Sequence, residues 1–215
     1  MPARGRAPAT MAPRTDLTAH VLEPALPYLP SLPADAGVRH ILGLNVAAGR
    51  ALIEFHDAVL RVDSQLTARD KELIAAYVSG LNACQYCYGV HKVTAEAFGV
   101  EEALIESLLG DLDRAPIDAR LKPILEYARV LTLTPAKALQ RHVDAIVAAG
   151  WTERDLHDAI LTVCLFNFMN RLLEGHGVKG AAEIYAARGQ ALRDAGYAPL
   201  LALLSEPPSP ATVAR

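Results

Sequence analysis

The sequence predicts an all-α, single-domain helical bundle, on three observations. Apolar residues recur at helical spacing along most of the chain, and no stretch alternates as a half-buried strand would. Alanine and leucine, both strong helix formers, dominate a composition in which aromatic residues make up 6%. The 215 residues, 52% hydrophobic and 21% charged with a net charge of -3, are enough for one domain with a substantial core. That balance excludes a disordered acidic chain and gives no basis for nucleic-acid binding. No segment reaches the roughly eighteen uncharged apolar residues that a membrane-spanning helix requires.

Residues 1–35 read as a flexible arm. Its first fourteen residues are basic and proline-punctuated, without the apolar stretch of an export signal, so the expected compartment is the cytoplasm. Pro24, Pro27, Pro30 and Pro33 leave space for one short helix over 17–23. From Val38 the pattern turns helical, with Leu42, Val46, Leu52, Phe55 and Leu60 at roughly helical spacing, interrupted by Gly43 and Gly49. Thr67 with Asp70 marks a capped start for a helix to about residue 81. Asn82 breaks it, and a helix over 84–98 ends at Gly99. Further helices are expected over 101–109 and 117–131. Thr134-Pro135 reads as the start of another, ending at Gly150. Thr152 with Asp155 opens a long helix to about Glu174, with Gly175 and Gly177 ending it. A helix over 178–195, a turn over 200–204 and a tail over 206–215 complete a domain spanning 36–205.

The chemistry centres on Cys84, Cys87 and His91. Residues three and four apart share a helix face, so these three side chains line up. Two thiols one turn apart can close a disulfide, and a helix N-terminus favours the reactive thiolate. An imidazole can take the thiol proton, and a carboxylate can fix its tautomer. Glu72, on the preceding helix, supplies that carboxylate if the two helices lie side by side. Such a set reduces peroxides: thiolate attacks the O–O bond, the sulfenic acid condenses with the second thiol, and an external dithiol resets the pair.

Glu72, eleven residues, then Cys84-x-x-Cys87-x-x-x-His91 resembles the alkylhydroperoxidase D (AhpD) core of the carboxymuconolactone decarboxylase superfamily. Leu42-Gly43-Leu44-Asn45 and Phe166-Asn167-Phe168-Met169-Asn170-Arg171 resemble its peroxidase-related branch, and the likeness runs from about 40 to 178. The resemblance implies a helical homo-oligomer (a dimer, trimer or hexamer). It implies a peroxide-attacking role for Cys87, a resolving role for Cys84 and a proton relay through His91 and Glu72. It also implies hydrogen peroxide or organic hydroperoxides as substrate, and an external dithiol, lipoyl-bearing or thioredoxin-like, as reductant. Tyr86 stands where the best-known member has a histidine.

Other readings use the same residues. Cys84, Cys87 and His91 offer three zinc ligands, but no second Cys/His pair is spaced to complete a structural site, and His142, His157 and His176 are scattered. No metal or organic cofactor is called for. A dithiol that switches a protein interface without turning over peroxide is the alternative function. Decarboxylase or lactone chemistry, found elsewhere in the superfamily, has no use for the dithiol. Cys164, among Leu161, Val163, Leu165, Phe166 and Phe168, reads as core, and Tyr77, Tyr86 and Tyr88 read as packing around the thiols. His176 reads as a helix-end residue, and Asn167, Asn170 and Arg171 as groups that need partners if buried.

Overall fold

Thr67 and Thr152 begin the two helices around which the rest is assembled. In each box the threonine Oγ accepts the backbone N–H three residues on, at 3.2 Å. The aspartate there (Asp70, Asp155) accepts the threonine N–H in return, at 3.2 and 2.9 Å. Two otherwise orphaned donors are thereby satisfied at each start. Asp155 also takes the N–H of Gln65 at 3.1 Å, tying the second helix to the loop that precedes the first.

The structure, a computed structural model, describes residues 26–62, 64–180 and 182–204. Among these residues there are ten helices and no strand: α1 (Val38–Gly43), α2 (Val46–Leu60), α3 (Ala68–Leu81), α4 (Gln85–Ala97), α5 (Glu102–Gly110), α6 (Lys122–Leu133), α7 (Gln140–Ala148), α8 (Glu153–Gly175), α9 (Ala182–Ala195) and α10 (Leu200–Leu203). The expected helix over 17–23 and the tail over 206–215 lie outside the described residues. Within the expected arm, Tyr28 is held in place, its N–H donating to the His176 carbonyl at 2.9 Å.

The centre is the α3–α4 hairpin, with α8 and α6 against α3 and α9 against α4. Residues 71–79 of α3 are buried without a break, Leu73, Ile74, Tyr77 and Val78 included. A helix buried on all sides is a core helix. The side-chain-free face of Gly189 lets α9 lie close on α4: a Cβ there would meet the Val93 backbone at 2.9 Å.

Three expected elements differ. The helix expected over 117–131 begins at Lys122, because Pro123 lacks an N–H and belongs in a first turn; Asp118 and Leu121 form a turn before it. Thr134-Pro135 opens only a 3₁₀ turn, Pro135–Lys137. Thr134 makes no capping bond, Ala138 is extended, and the helix restarts at Gln140. The last long helix begins at Ala182 rather than 178, since Gly180 takes φ +71°, where a Cβ would meet the Tyr86 ring at 2.7 Å.

Candidate active site

Between α3 and α4 the chain turns in three residues. Ala83 N–H bonds the Gly80 carbonyl at 2.9 Å and Cys84 N–H the Ser79 carbonyl at 3.0 Å, the double closure of a Schellman turn. The left-handed position this turn needs is filled by Ala83, at φ +54°, where glycine is usual. Cys84 thus becomes the N-cap of α4, and the hairpin sends Glu72 and His91 back alongside each other.

They meet. Glu72 Oε2 accepts from His91 Nδ1 at 2.7 Å. The other oxygen, Oε1, accepts from Arg61 Nη2 at 2.7 Å and from the Tyr197 hydroxyl at 2.9 Å. Burial pushes the Glu72 carboxyl upward, but His91 and Arg61 outweigh it and hold it below the ordinary glutamate value. Burial, and then the Glu72 charge, push Tyr197 well above the usual phenol range, so it remains a donor. With Nδ1 committed to the carboxylate, Nε2 is the His91 atom free to accept a proton. The edge-on ring of Phe166, 4.3 Å between centroids, fixes the imidazole plane.

Cys84 and Cys87 are both free and buried, and each thiol acts on the other. The Cys87 thiol lowers Cys84 below the usual thiol value, burial opposes, and the Cys87 backbone N–H assists. Cys87 is pushed well above the usual thiol value by the neighbouring Cys84 and by burial; Asn170 works the other way. Cys87 and His91, four residues apart on α4, line one cavity of about 50 Å³. Its remaining wall includes Ile53, His56, Tyr86, Phe166, Arg188, Leu192 and Tyr197. On that measure one water needs about 10–15 Å³, so the space suits a molecule of a few heavy atoms, with apolar surroundings.

The asparagines of α8 belong to the site. Asn170 donates to Ser79 Oγ at 3.0 Å and accepts from Asn82 at 2.9 Å, while Asn167 accepts from Asn82 at 3.2 Å and donates to Thr132 Oγ1. They clamp the turn that presents the thiols. Arg171 folds back on Asn167, its guanidinium on the carbonyl at 2.7 Å. His176 makes the expected helix-end contact, with Nδ1 donating to the Leu172 carbonyl at 2.7 Å.

Other expectations change. Cys164 is exposed rather than core: Val163 and Phe166 face inward, while Cys164 shares the outer face of α8 with Phe168, itself 50% exposed. Of the three tyrosines, Tyr86 lines the cavity, with its hydroxyl taking the Val38 N–H at 3.3 Å and the Arg188 guanidinium. Burial raises Tyr77 to about 12, and it also raises Tyr88 above the usual phenol value. Arg61, Tyr197, Arg188 and His56 were not foreseen. Arg61 follows the apolar run of α2 directly, a faint signal for a buried cation, and Tyr197 carries none. Among the described residues, no group of three or more His, Cys, Asp or Glu is placed to hold a metal ion, and no helix is long and apolar enough to cross a membrane.

Comparisons with known proteins bear on this geometry. The profile of the Carboxymuconolactone decarboxylase family matches residues 47–115, which include Glu72, Cys84, Cys87 and His91. An uncharacterized peroxidase-related protein of Silicibacter sp. TM1040 superposes with a TM-score of 0.65 at 26% identity, over 71% of this chain and 79% of that one. The alkylhydroperoxidase AhpD core of an uncharacterized peroxidase-related protein of Ralstonia eutropha JMP134 superposes at 0.63 and 22% identity, over 69% and 78%, a likeness of fold. The uncharacterized protein YdfG of Bacillus subtilis (strain 168) is 26% identical over 120 residues, 56% of this chain and 82% of its own.

Proposed function

We propose that this chain, whose residues 47–115 match the Carboxymuconolactone decarboxylase family and whose fold resembles peroxidase-related proteins, is an AhpD-like thiol peroxidase working through a Cys84/Cys87 dithiol–disulfide cycle. The observation that carries the reading is the 2.7 Å bond from His91 to Glu72 behind a cavity whose wall holds both Cys87 and His91. His91 Nε2 takes the Cys87 proton, and the thiolate attacks one oxygen of the bound peroxide. The O–O bond breaks, Cys87 becomes a sulfenic acid, and the proton passes to the leaving oxygen, giving an alcohol or water. Cys84 then attacks the Cys87 sulfur, releasing water and closing the disulfide. An external dithiol, lipoyl-bearing or thioredoxin-like, returns both cysteines to thiols. Glu72 stays ionised throughout, holding the imidazole in its tautomer and steadying its charged form. Hydrogen peroxide fits the cavity as it stands; the hydroperoxide group of an organic substrate occupies the same space.

The test is a free-thiol count before and after one equivalent of cumene hydroperoxide, with disulfide mapping. Loss of two thiols, mapped to a Cys84–Cys87 bond and reversed repeatedly by a dithiol, is the expected result. A disulfide that forms once and alters assembly without turnover indicates a redox-sensing module instead. An unchanged count refutes both.

A further inference from the structure

One hydroxyl in the cavity wall carries a proton that nothing takes up. Tyr86 Oη accepts the Val38 N–H at 3.3 Å and a hydrogen bond from Arg188 Nη1. With two donors on the oxygen, its own proton is left to point away from both. Among the described residues no acceptor receives it. Val38, Tyr86 and Arg188 all line the cavity that holds Cys87 and His91, which places the hydroxyl end of the ring at that wall. Two other donors of the wall are committed elsewhere: the Tyr197 hydroxyl to Glu72, and His56 Nδ1 to the Leu52 carbonyl. The Tyr86 ring is held in place by the close Gly180 backbone and by Tyr185, edge-on at 6.3 Å between centroids. Much of the remaining wall is apolar, Leu42, Ile53, Val90 and Phe166 included.

We propose that the Tyr86 hydroxyl donates a hydrogen bond to the leaving oxygen of the peroxide, and that Arg188 strengthens it as a donor; the inference rests on the peroxidase reading. When the Cys87 thiolate attacks the nearer oxygen, an S–O bond forms and the O–O bond breaks. The electron pair of that bond moves onto the farther oxygen. Negative charge therefore develops in a mostly apolar cavity, where it is costly unless a donor meets it. His91 is first occupied in taking the thiol proton, which reaches the leaving oxygen only as the step completes. Tyr86 is aimed beforehand and keeps its own proton throughout, giving a hydrogen bond rather than an acid. Burial outweighs the Arg188 charge and holds the phenol above its ordinary value, so it stays protonated. The guanidinium on the phenol oxygen draws density away from the O–H and makes it a better donor. Tyr86 thus meets a reacting atom, whereas Arg188 acts through Tyr86.

The test compares two oxidants with different leaving groups. Single-turnover thiol oxidation of the parent, Tyr86→Phe and Arg188→Met proteins is followed by stopped flow with hydrogen peroxide and with peroxyacetic acid. Hydrogen peroxide expels hydroxide, which needs a donor. Peroxyacetic acid expels acetate, which spreads its charge over two oxygens and needs little help. Tyr86→Phe is expected to lose about a hundredfold with hydrogen peroxide and no more than about threefold with peroxyacetic acid. Arg188→Met, at a partly exposed position, is expected to lose about tenfold with hydrogen peroxide and to show the same selectivity. If circular dichroism shows that Tyr86→Phe does not fold, Arg188→Met alone decides. A parental rate with hydrogen peroxide overturns the role of the residue replaced. An equal loss with both oxidants also does so, by reducing the pair to packing. A parent oxidised by neither compound overturns this inference and the peroxidase reading together.

Discussion

Arg61 Nη2 lies 2.7 Å from Glu72 Oε1, so the carboxylate that orients His91 is itself held by a guanidinium from α2. The Arg61 side chain is 17% exposed and that of Glu72 fully buried. Glu72→Gln preserves size and removes the charge, leaving Arg61 unpaired and His91 without its anion. Peroxide-dependent thiol loss at pH 7 is expected to fall about a hundredfold. Stability is expected to fall by about 3 kcal/mol. Stopped-flow oxidation and urea unfolding check the two effects. A parental oxidation rate in this variant removes the relay from the mechanism.

The three cysteines are expected to separate in one titration. Cys164 is exposed and Cys84 and Cys87 are buried, so a thiol reagent modifies one thiol quickly and two slowly in the native protein. Cys164→Ser abolishes the fast phase and leaves peroxide oxidation intact. On the peroxidase reading Cys87→Ser, which removes the proposed nucleophile, is expected to abolish oxidation. Cys84→Ser leaves a trappable sulfenic acid on Cys87. A trappable sulfenic acid on Cys84 in the Cys87→Ser protein would reverse the two roles.

His56 sets a pH dependence of stability. Burial lowers it from 6.5 to about 4, against the bond its Nδ1 donates to the Leu52 carbonyl. Between those values the unfolded chain binds a proton that the folded chain refuses. Stability from this group is therefore full above 6.5 and declines as pH falls towards 4, by about 3 kcal/mol in all. Glu72, whose carboxyl is depressed, adds a further loss at still lower pH. His56→Phe is expected to flatten the 6.5-to-4 segment of a stability-versus-pH curve from chemical denaturation. An unchanged slope assigns that segment elsewhere.

Ala83 occupies the left-handed position of the turn before Cys84. Ala83→Gly relieves the Cβ strain and is expected to stabilise the protein by about 1 kcal/mol. Ala83→Val is expected to destabilise it by more. Urea midpoints for the two variants measure the strain directly; a destabilised Gly variant contradicts it.

Much of this was legible in the sequence where a local rule and the tertiary structure agree. Thr67/Asp70 and Thr152/Asp155 carry their caps within four residues, and both long helices start where those pairs place them. The spacing of Cys84, Cys87 and His91 needs only a helix, and Glu72 needs only a short turn. What was hidden depended on distant chain. Tyr197 reaches Glu72 from 125 residues away and Arg188 reaches Tyr86 from 102, and periodicity contains nothing of either. Pro123 did carry a warning: a residue without an N–H inside a proposed helix marks its first turn. Cys164 misled because apolar neighbours one residue away on a helix point in different directions.

The cavity draws its wall from several separate stretches of chain. Cys87, His91, Ile53, His56, Tyr86 and Val90 of its wall fall within residues 47–115, the span that matches the family profile, whereas Val38 and Leu42 precede that span and Phe166, Arg188, Leu192, Tyr197 and Leu200 follow it. On the peroxidase reading, much of what admits a substrate therefore lies outside the span that holds the thiols. Substitutions along α9 and α10 can reshape what reaches the sulfurs while every reacting atom stays in position. Two relatives with the same four motif residues can then have diverged in diet without diverging in chemistry.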